Sequence, residues 1–439
     1  MVKGTPPRDV GSNSMKKVAA ASMIGTVIEF YEFLIYGTAA ALVFAKVFFP
    51  ELGQAAGTAL AIATQGVAFV ARPLGSMIFG HFGDRLGRKR TLVTTLLLMG
   101  CSTVAIGLLP TAASIGIWAP IALVTLRVAQ GLAIGGEWAG AALLSAENSL
   151  PENRGLYAIF PQLGPSIAFA LASSTYLIIA FSMSAESFVS WGWRIPFLSS
   201  TLLIVIGFFV RVSIEESVDF RRTVERKQTS RVPIVDVFRK QGKEAVLGGL
   251  AILPTFAFFY AGASNLTSYA TQVLGLSKTT VLAVGIVSGI SWAITTVVGS
   301  LWSDRVGRRT VILFGGAASS VAALLLFPII NHATPPFFLL GMALLLGSIG
   351  FSYGPLGAML PMLFATRYRY SGAGLSYNLG AVLGGGVLPL VTPHLGLAYG
   401  SYSTGFLLAG TALVSCVAVL GLRGEYEEET RGLLHSDSF

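Results

Sequence analysis

The sequence predicts an all-helical (all-α) integral membrane protein with twelve transmembrane helices in two pseudo-symmetric halves of six. Three observations predict this class: the scarcity of charge, the length of the apolar runs and an internal repeat. Of the 439 residues, 53% are hydrophobic and only 12% are charged, whereas soluble domains carry about 25% charged residues. Most of the surface therefore cannot face water, and we expect the lipid bilayer to be a partner.

Twelve apolar runs are long enough to cross a bilayer. About 20 apolar residues span a hydrocarbon core of about 30 Å. The first run is too long for a signal peptide and lacks a small-residue cleavage site before the next run, so we expect it to remain as a span. The predicted spans are 18–44, 56–82, 91–110, 117–144, 155–181, 196–212, 244–272, 280–303, 310–330, 337–361, 371–391 and 402–422.

The positive charges predict the orientation. If both termini are cytoplasmic, all but five of the 30 Lys and Arg residues fall in cytoplasmic tails and loops. The exceptions are Lys46, Arg194 and Lys278 outside, and Arg72 and Arg127 within spans. This asymmetry follows the positive-inside rule and requires an even number of spans. We therefore expect a multi-pass protein of the plasma membrane with both termini cytoplasmic, and the net charge of +9 needs no nucleic-acid partner.

A short basic motif occurs twice. The run "GDRLGRKR" at 83–90 recurs as "SDRVGRRT" at 303–310, and each copy joins the second and third spans of its half. Duplicated six-span halves are typical of transporters whose ligand site lies at the bilayer midplane. The predicted division is a cytoplasmic tail at 1–17, an N-terminal half at 18–212, a cytoplasmic linker at 213–243, a C-terminal half at 244–422 and a cytoplasmic tail at 423–439.

Two carboxylates interrupt the first apolar run, "TVIEFYEFLIYG". Glu29 and Glu32 are three residues apart on one helical face, and Tyr36 lies one turn further along it. At about 1.5 Å per residue, Glu29 lies about 16 Å from a cytoplasmic end near Val18. An ionised carboxylate at that depth costs about 2.5 to 3.5 kcal/mol. Each Glu is therefore either paired or protonated, which predicts proton-coupling residues.

Arginine partners for these carboxylates lie within other spans. Arg127 in span 4 cannot usefully lose its proton, so an anionic substrate could replace a Glu as its partner, and the released Glu would take up a proton. Arg72 precedes Pro73 and is predicted to be structural. Glu137, in "GGEWAG", is predicted to be a second proton-coupling residue, and a structural tie within a tight packing motif remains an open alternative.

The chain resembles the major facilitator superfamily through the paired loop motifs. Within it, five further motifs resemble the metabolite:proton symporters, and the stretches "APIALVTLRVAQG", "GGEWAGAALLSAEN" and "YRYSGAG" are closest to the shikimate permease branch. The five motifs are "EFYEFLIYG", "RPLGSMIFGHFGDRLGRKR", "RVAQGLAIGGEWAGAALL", "SWGWRIPF" and "YRYSGAGLSYNLGAVLGGGVLP". The resemblance implies the major facilitator fold and proton-coupled uptake. It also implies that the loop motifs gate one side of the molecule; the gating residues would be Asp84, Arg85, Gly87, Arg88, Asp304, Arg305, Gly307 and Arg308.

The chain departs from these relatives at a few positions. Glu32 stands where relatives usually carry Asp, which conserves the charge. Ile252 and Thr255 stand where several relatives carry Arg and Glu, and Met362 and Ala365 replace a Glu and a Pro. The resemblance therefore predicts the family more specifically than the substrate.

The predicted substrate site combines the arginine of span 4 with polar and aromatic groups. Because the second half offers hydroxyls, amides and rings where the first half offers charges, we expect it to recognise hydroxyl groups or a ring. The predicted substrate-binding residues are Arg127, Tyr36, Gln130, Gln162, Asn265, Tyr353, Tyr377 and Asn378.

We predict a secondary active transporter that takes up a small hydroxylated or zwitterionic carboxylate, with a shikimate-like compound as first candidate, together with protons by alternating access. It would act as a monomer without a cofactor. One alternative is a proton-coupled drug or metabolite antiporter of the same fold, and a distant one is an integral membrane enzyme or receptor. The sequence shows no nucleophile with a base partner and no phosphate-binding loop, so we predict that it is not an enzyme. The histidines have no metal-ligand spacing.

Overall fold

The structure is a computed structural model that describes residues 15–147, 154–213, 233–365 and 368–422. These residues form helices and connecting turns, without a β-strand among them. The twelve long helices are α1 Met15–Ala39, α2 Gly53–Leu86, α3 Arg88–Leu108, α4 Trp118–Glu147, α5 Arg154–Ser182, α6 Arg194–Val212, α7 Gly242–Tyr260, α8 Lys278–Val306, α9 Arg308–Ile330, α10 Pro335–Met362, α11 Arg369–Ala381 and α12 Tyr402–Gly421.

Shorter helical segments extend or connect the long ones. Four of them are π-helical: Ala40–Phe44 after α1, Phe188–Gly192 before α6, Ala261–Leu266 after α7 and Val382–Val387 after α11. The others are Ala45–Phe48, Pro50–Leu52, Ala112–Ile115, Ala185–Ser187, Pro233–Lys240, Thr267–Gln272 and Leu388–Tyr399. Two of the π-helical segments thus directly follow α1 and α7.

Eleven helical runs in the described part of the chain are long and apolar enough to cross a membrane. Three of these runs, Phe188–Val212, Gly242–Gln272 and Arg369–Gly396, combine a long helix with an adjoining π-helical segment. The remaining long helix, α2, has 34 residues and packs between α4 and α11. Each predicted span overlaps one long helix, and spans 18–44, 244–272 and 371–391 also include the π-helical segment that follows it. The predicted twelve-helix architecture is therefore confirmed. Of the predicted tails and linker, residues before 15, after 422 and from 214 to 232 lie outside the described residues, and the proposed boundaries between the halves stay a prediction.

Small residues set the spacing of the helices that carry the predicted site. Gly131 and Gly135 of α4 lie against the backbone of Ala68 and Arg72 of α2, and a Cβ on either glycine would collide with it. This is the small-residue packing predicted for "GGEWAG", because lipid supplies no hydrophobic drive and helices associate through close contact. The halves meet where α5 packs on α8 and α10, and where α2 packs on α11.

Candidate functional site

The two glutamates of α1 are buried inside the N-terminal half. Glu29 and Glu32 are each 1% exposed, and the phenylalanines between and beside them pack against other rings, Phe30 on Phe259 and Phe33 on Phe69. Neither carboxylate oxygen of Glu29 has a hydrogen-bond partner. A charged carboxylate without a partner is costly in an apolar interior, so this site can hold a proton.

Glu32 is joined to Arg127 by a chain of side-chain hydrogen bonds. Thr103 Oγ1 donates to Glu32 Oε2 at 2.5 Å, Gln130 Nε2 donates to Thr103 Oγ1 at 2.7 Å, and Arg127 Nη1 donates to Gln130 Oε1 at 2.8 Å. The direct carboxylate–guanidinium pair expected from the sequence is therefore not formed. The reason is spacing: two intervening side chains fill the gap between α1 and α4.

Arg127 is fully buried, and part of its guanidinium has no partner. Its Cζ lies 3.8 Å from the ring centre of Tyr36 and 4.8 Å from that of Phe33, and the hydroxyl of Tyr36 bonds Thr64 at 2.6 Å. Cation–π contacts of this kind contribute most where water is excluded. Nε and Nη2 of Arg127 make no hydrogen bond, so two donors remain for an anion.

Arg72 of α2 is held in a similar way. Its Cζ lies 4.5 Å from the ring centre of Phe69 and 4.8 Å from that of Phe33, so Phe33 contacts both buried arginines. Nε and Nη1 of Arg72 have no hydrogen-bond partner. The predicted structural role of Arg72 stays a prediction, because a guanidinium with free donors can equally attract an anion.

A small cavity lies between the two halves. It has room for no more than about one water molecule, so the halves are nearly closed around it. It is lined by Phe30, Pro165, Thr255, Phe256, Phe259, Trp292, Tyr353 and Tyr377. Four of these carry buried polar atoms without a hydrogen-bond partner: the hydroxyls of Thr255, Tyr353 and Tyr377 and the indole nitrogen of Trp292.

Two predicted substrate-binding amides instead connect the halves. Gln162 of α5 accepts a hydrogen bond from Trp138 Nε1 at 2.9 Å and donates to the carbonyl of Tyr353 at 2.6 Å. Asn378 of α11 donates to the carbonyl of Gly135 at 2.9 Å, and only its oxygen is unpartnered. Asn265 is not among the cavity-lining residues, because it lies in the π-helical segment after α7 and bonds Thr392.

Glu137 forms a buried ion pair that the sequence did not predict. Its carboxylate accepts two hydrogen bonds from the guanidinium of Arg211 and one from Thr95 at 2.8 Å. Arg211 is 3% exposed and also donates to the carbonyl of Leu92 at 2.6 Å. Of the two interpretations of Glu137, this geometry favours the structural tie. Arg211 was counted with the linker charges, although the predicted span 196–212 already contains it.

The first loop motif joins the halves at the end of the bundle that carries the basic loops, here called the basic end. Asp84 accepts hydrogen bonds from the backbone N–H groups of Tyr370 and Ser371 at 3.3 and 3.1 Å, and from the hydroxyl of Ser371 at 2.9 Å. These donors form the N-terminus of α11, where a negative charge is favourable. Arg88 lies 3.7 Å from Asp84, and Gly87 turns the chain with φ of 107°.

The second loop motif has the same turn but not the same burial. Gly307 has φ of 93°, which a residue with a side chain rarely adopts. Asp304 and Arg305 are exposed, whereas Arg308 is half-buried. Arg85 of the first motif is also exposed and bonds His81 at 3.2 Å. Within the described residues, Asp84 and not Asp304 is therefore the carboxylate that bridges the halves.

Removing the Asp84 side chain is expected to open the basic end. Hydrogen bonds to a charged group each contribute about 1.5 to 3 kcal/mol, so Asp84→Ala should raise labelling of a cysteine behind this contact about tenfold or more. Ala139 of α4 faces Gly374 of α11; Ala139→Cys, with Cys101 and Cys416 replaced by serine, would be labelled with an impermeant maleimide. Glu51→Ala, which removes an exposed carboxylate outside this contact, is the control. Equal labelling rates in the two variants would contradict a closing role for Asp84.

Comparison with known proteins identifies the family. The signature of the Major Facilitator Superfamily matches residues 23–376. The chain is 43% identical to the inner membrane metabolite transport protein YhjE of Escherichia coli (strain K12), over 93% of this chain and 94% of that protein. It is 37% identical to the shikimate transporter of the same organism, over 92% and 94% of the two chains.

The fold is also similar to that of a solved transporter. The structure of the proton:xylose symporter XylE bound to 6-bromo-6-deoxy-D-glucose superposes with a TM-score of 0.76, covering 93% of this chain and 95% of that one at 16% identity. The proteins of known name in these comparisons are membrane transporters. This protein is a multi-pass membrane transporter, and the chain belongs to the major facilitator superfamily.

Proposed function

We propose that the protein is a proton-coupled symporter that takes up a small hydroxylated or zwitterionic carboxylate by alternating access. The observation that carries this proposal is the burial of two carboxylates, Glu29 and Glu32, in the same region as two buried arginines that keep free donors, Arg72 and Arg127. Carboxylates can take up and release protons, whereas arginines remain charged and attract anions. One buried cluster thus contains the groups required to bind both a proton and a substrate anion.

The cavity supports the choice of substrate class. Unpartnered hydroxyls and an indole N–H, from Thr255, Tyr353, Tyr377 and Trp292, line it together with phenylalanine rings. Buried polar groups without partners are costly, and a substrate with hydroxyl or carboxylate oxygens would satisfy them. The compounds in the names of similar proteins, a shikimate transporter and proline/betaine transporters, are also small carboxylates.

In this mechanism the basic end is closed by Asp84 while substrate and proton bind near the midplane. The substrate carboxylate pairs with Arg127, and Glu29 or Glu32 takes up a proton. The charges of the site are then balanced, so the two halves can reorient and release the substrate and the proton on the other side of the membrane. We propose that the basic end and both termini are cytoplasmic, and that a monomer suffices because every group named here lies in one chain.

Proteoliposomes test this proposal. Shikimate, quinate, 2-oxoglutarate, citrate, proline and betaine would be offered separately, with the exterior one pH unit more acidic than the interior. Such a gradient supplies about 1.4 kcal/mol per proton, which supports about tenfold accumulation. We expect one of these compounds to accumulate and the accumulation to collapse with a protonophore. Entry that ignores the gradient would contradict coupling, and expulsion against inward proton flow would indicate the antiporter alternative.

A further inference from the structure

The hydroxyl of Thr103 on α3 has three polar neighbours. Its Oγ1 lies 2.5 Å from Glu32 Oε2, 2.7 Å from Gln130 Nε2 and 3.1 Å from the backbone carbonyl of Met99. Thr103 is fully buried, and Glu32 and Gln130 are each 1% exposed, so water does not compete for these contacts. The residue is outside the set predicted from the sequence, and its position between a carboxylate and an amide gives it a specific role.

The direction of the hydrogen bonds follows from Arg127. A guanidinium donates and cannot accept, so the oxygen of Gln130 must face Arg127 and its NH₂ group must face Thr103. The oxygen of Thr103 therefore accepts from Gln130. The single proton of the Thr103 hydroxyl is left with two acceptors to choose from, Glu32 Oε2 and the carbonyl of Met99.

These two choices match the two protonation states of Glu32. When Glu32 is ionised, Thr103 donates to it, and the chain from Arg127 ends on a negative charge. When Glu32 is protonated, its O–H can donate to Thr103, whose hydroxyl can accept two hydrogen bonds while donating one. The proton of Thr103 then points to the Met99 carbonyl. In both protonation states, all the hydrogen bonds that join Glu32, Thr103, Gln130 and Arg127 are made.

We propose that Thr103 is a positioning residue for proton uptake at Glu32, and that rotation of its hydroxyl keeps Glu32 connected to Arg127 in both protonation states. This proposal rests on the proton-coupled transport proposed above. The proton comes from water, adds to one oxygen of the Glu32 carboxylate and breaks no other covalent bond. Loss of the Thr103 hydroxyl should favour the protonated carboxyl, because the hydrogen bond to the ionised carboxylate is stronger than the one that the neutral carboxyl makes.

The hydrogen bonds that join Glu32 to Arg127 also couple proton uptake to substrate binding. Gln130 uses only Nη1 of Arg127, so Nε and Nη2 stay available to a substrate carboxylate. A bound anion neutralises the charge of Arg127 and weakens its pull through Gln130 and Thr103. Ionised Glu32 is then less stabilised and takes up a proton. Substrate and proton therefore bind together, as symport requires.

Other charged or titratable groups lie on α1 and on the helices that pack against it. None of them is joined to Glu32 by a hydrogen bond or ion pair within the described residues. They are Glu29 and Tyr31 on α1, Arg72 on α2, Tyr176 on α5, and Arg211, paired with Glu137, on α6. The Thr103 chain is thus the direct polar connection between Glu32 and the rest of the site.

Infrared titration of the full-length protein in lipid vesicles tests this proposal without a substrate. The C=O band of the protonated carboxyl is followed against pH and assigned to Glu32 by its loss in Glu32→Gln. Thr103→Val, which keeps the side-chain shape and removes the hydroxyl, should move the midpoint of this band upward by about one pH unit or more. Thr103→Ser should keep the wild-type midpoint, and Gln130→Met should move it upward by less than Thr103→Val.

Three results would overturn the proposal: a Thr103→Val midpoint equal to that of the wild type, an equally large shift in Thr103→Ser, or no titrating band that Glu32→Gln removes. The outcome is separate from that of the proposed function. If the band shifts as expected but the proteoliposomes show no gradient-driven uptake, the Thr103 connection stands and proton-coupled symport fails. If uptake is coupled but the midpoint does not move, only the role of Thr103 is lost.

Discussion

Replacing Glu32 with glutamine is expected to abolish accumulation driven by a pH gradient. Glutamine has nearly the same shape and can still accept the hydrogen bond from Thr103, but it cannot bind a proton. The accumulation ratio should therefore fall from about tenfold per pH unit and proton to equality across the membrane. Counterflow exchange of labelled for unlabelled substrate should be partly retained, because exchange requires no net proton movement.

Glu29→Gln is also expected to lose gradient-driven accumulation while partly retaining exchange. The reason is that neither oxygen of Glu29 has a hydrogen-bond partner in the apolar interior, so its carboxyl can hold a proton. The matched control is Glu51→Gln, which removes an exposed carboxylate and should accumulate substrate like the wild type. Normal accumulation by both Glu29→Gln and Glu32→Gln would place the proton site elsewhere. Loss of exchange as well as accumulation, at normal protein levels, would indicate that these side chains bind the substrate directly.

Breaking the buried ion pair between Glu137 and Arg211 is expected to give the largest loss of stability. Arg211→Leu leaves Glu137 charged and buried with only the hydroxyl of Thr95 as partner. Removing one member of a buried pair typically costs about 3 to 5 kcal/mol. The apparent melting temperature in detergent should fall clearly, whereas Arg239→Leu, at an exposed position, should leave it unchanged.

The double variant Glu137→Leu with Arg211→Leu separates the two interpretations of Glu137. Apolar replacement of a buried pair is often neutral or stabilising, so the double variant should recover most of the lost melting temperature. If Glu137 is a structural tie, this variant should also accumulate substrate against a pH gradient. Recovered stability with lost accumulation would instead make Glu137 a second proton-coupling residue.

Gly25 of α1 lies directly against the ion pair between Glu137 and Arg211. A Cβ at this position of α1 would collide with the guanidinium of Arg211 and the carboxylate of Glu137. The absence of a side chain at residue 25 is therefore what allows the pair to lie directly against α1, on the helix that also carries Glu29. This contact joins α1, α4 and α6 in the N-terminal half.

The helical architecture was predictable because membrane spans are set by a physical length. Twelve apolar runs, a basic loop motif found twice and one-sided positive charge were sufficient to predict the helices that the structure contains. Burial of Glu29, Glu32 and Arg127 was also predictable, because each lies deep within an apolar run. The π-helical segments were not predicted, since no residue pattern considered in the sequence distinguishes them from ordinary helix.

The pattern of contacts within the site was less predictable. Depth along a helix shows which groups lie at the same level, but not what lies between them. The sequence therefore indicated that Arg127 and Glu32 were partners without revealing that Thr103 and Gln130 separate them. Arg211 was misjudged for the opposite reason: a charge next to a basic linker was attributed to the linker. Its partner, Glu137, is 74 residues away in the chain.

The measurement that tests the central claim most directly is substrate-induced proton movement. Proteoliposomes with no initial pH gradient would receive the compound that accumulates in the uptake assay, and the pH of the weakly buffered exterior would be recorded. The wild-type protein should make the exterior more alkaline as protons enter with substrate, and the Glu29→Gln and Glu32→Gln double variant should give no pH change. Alkalinisation by the double variant equal to that of the wild type would contradict proton coupling through these glutamates.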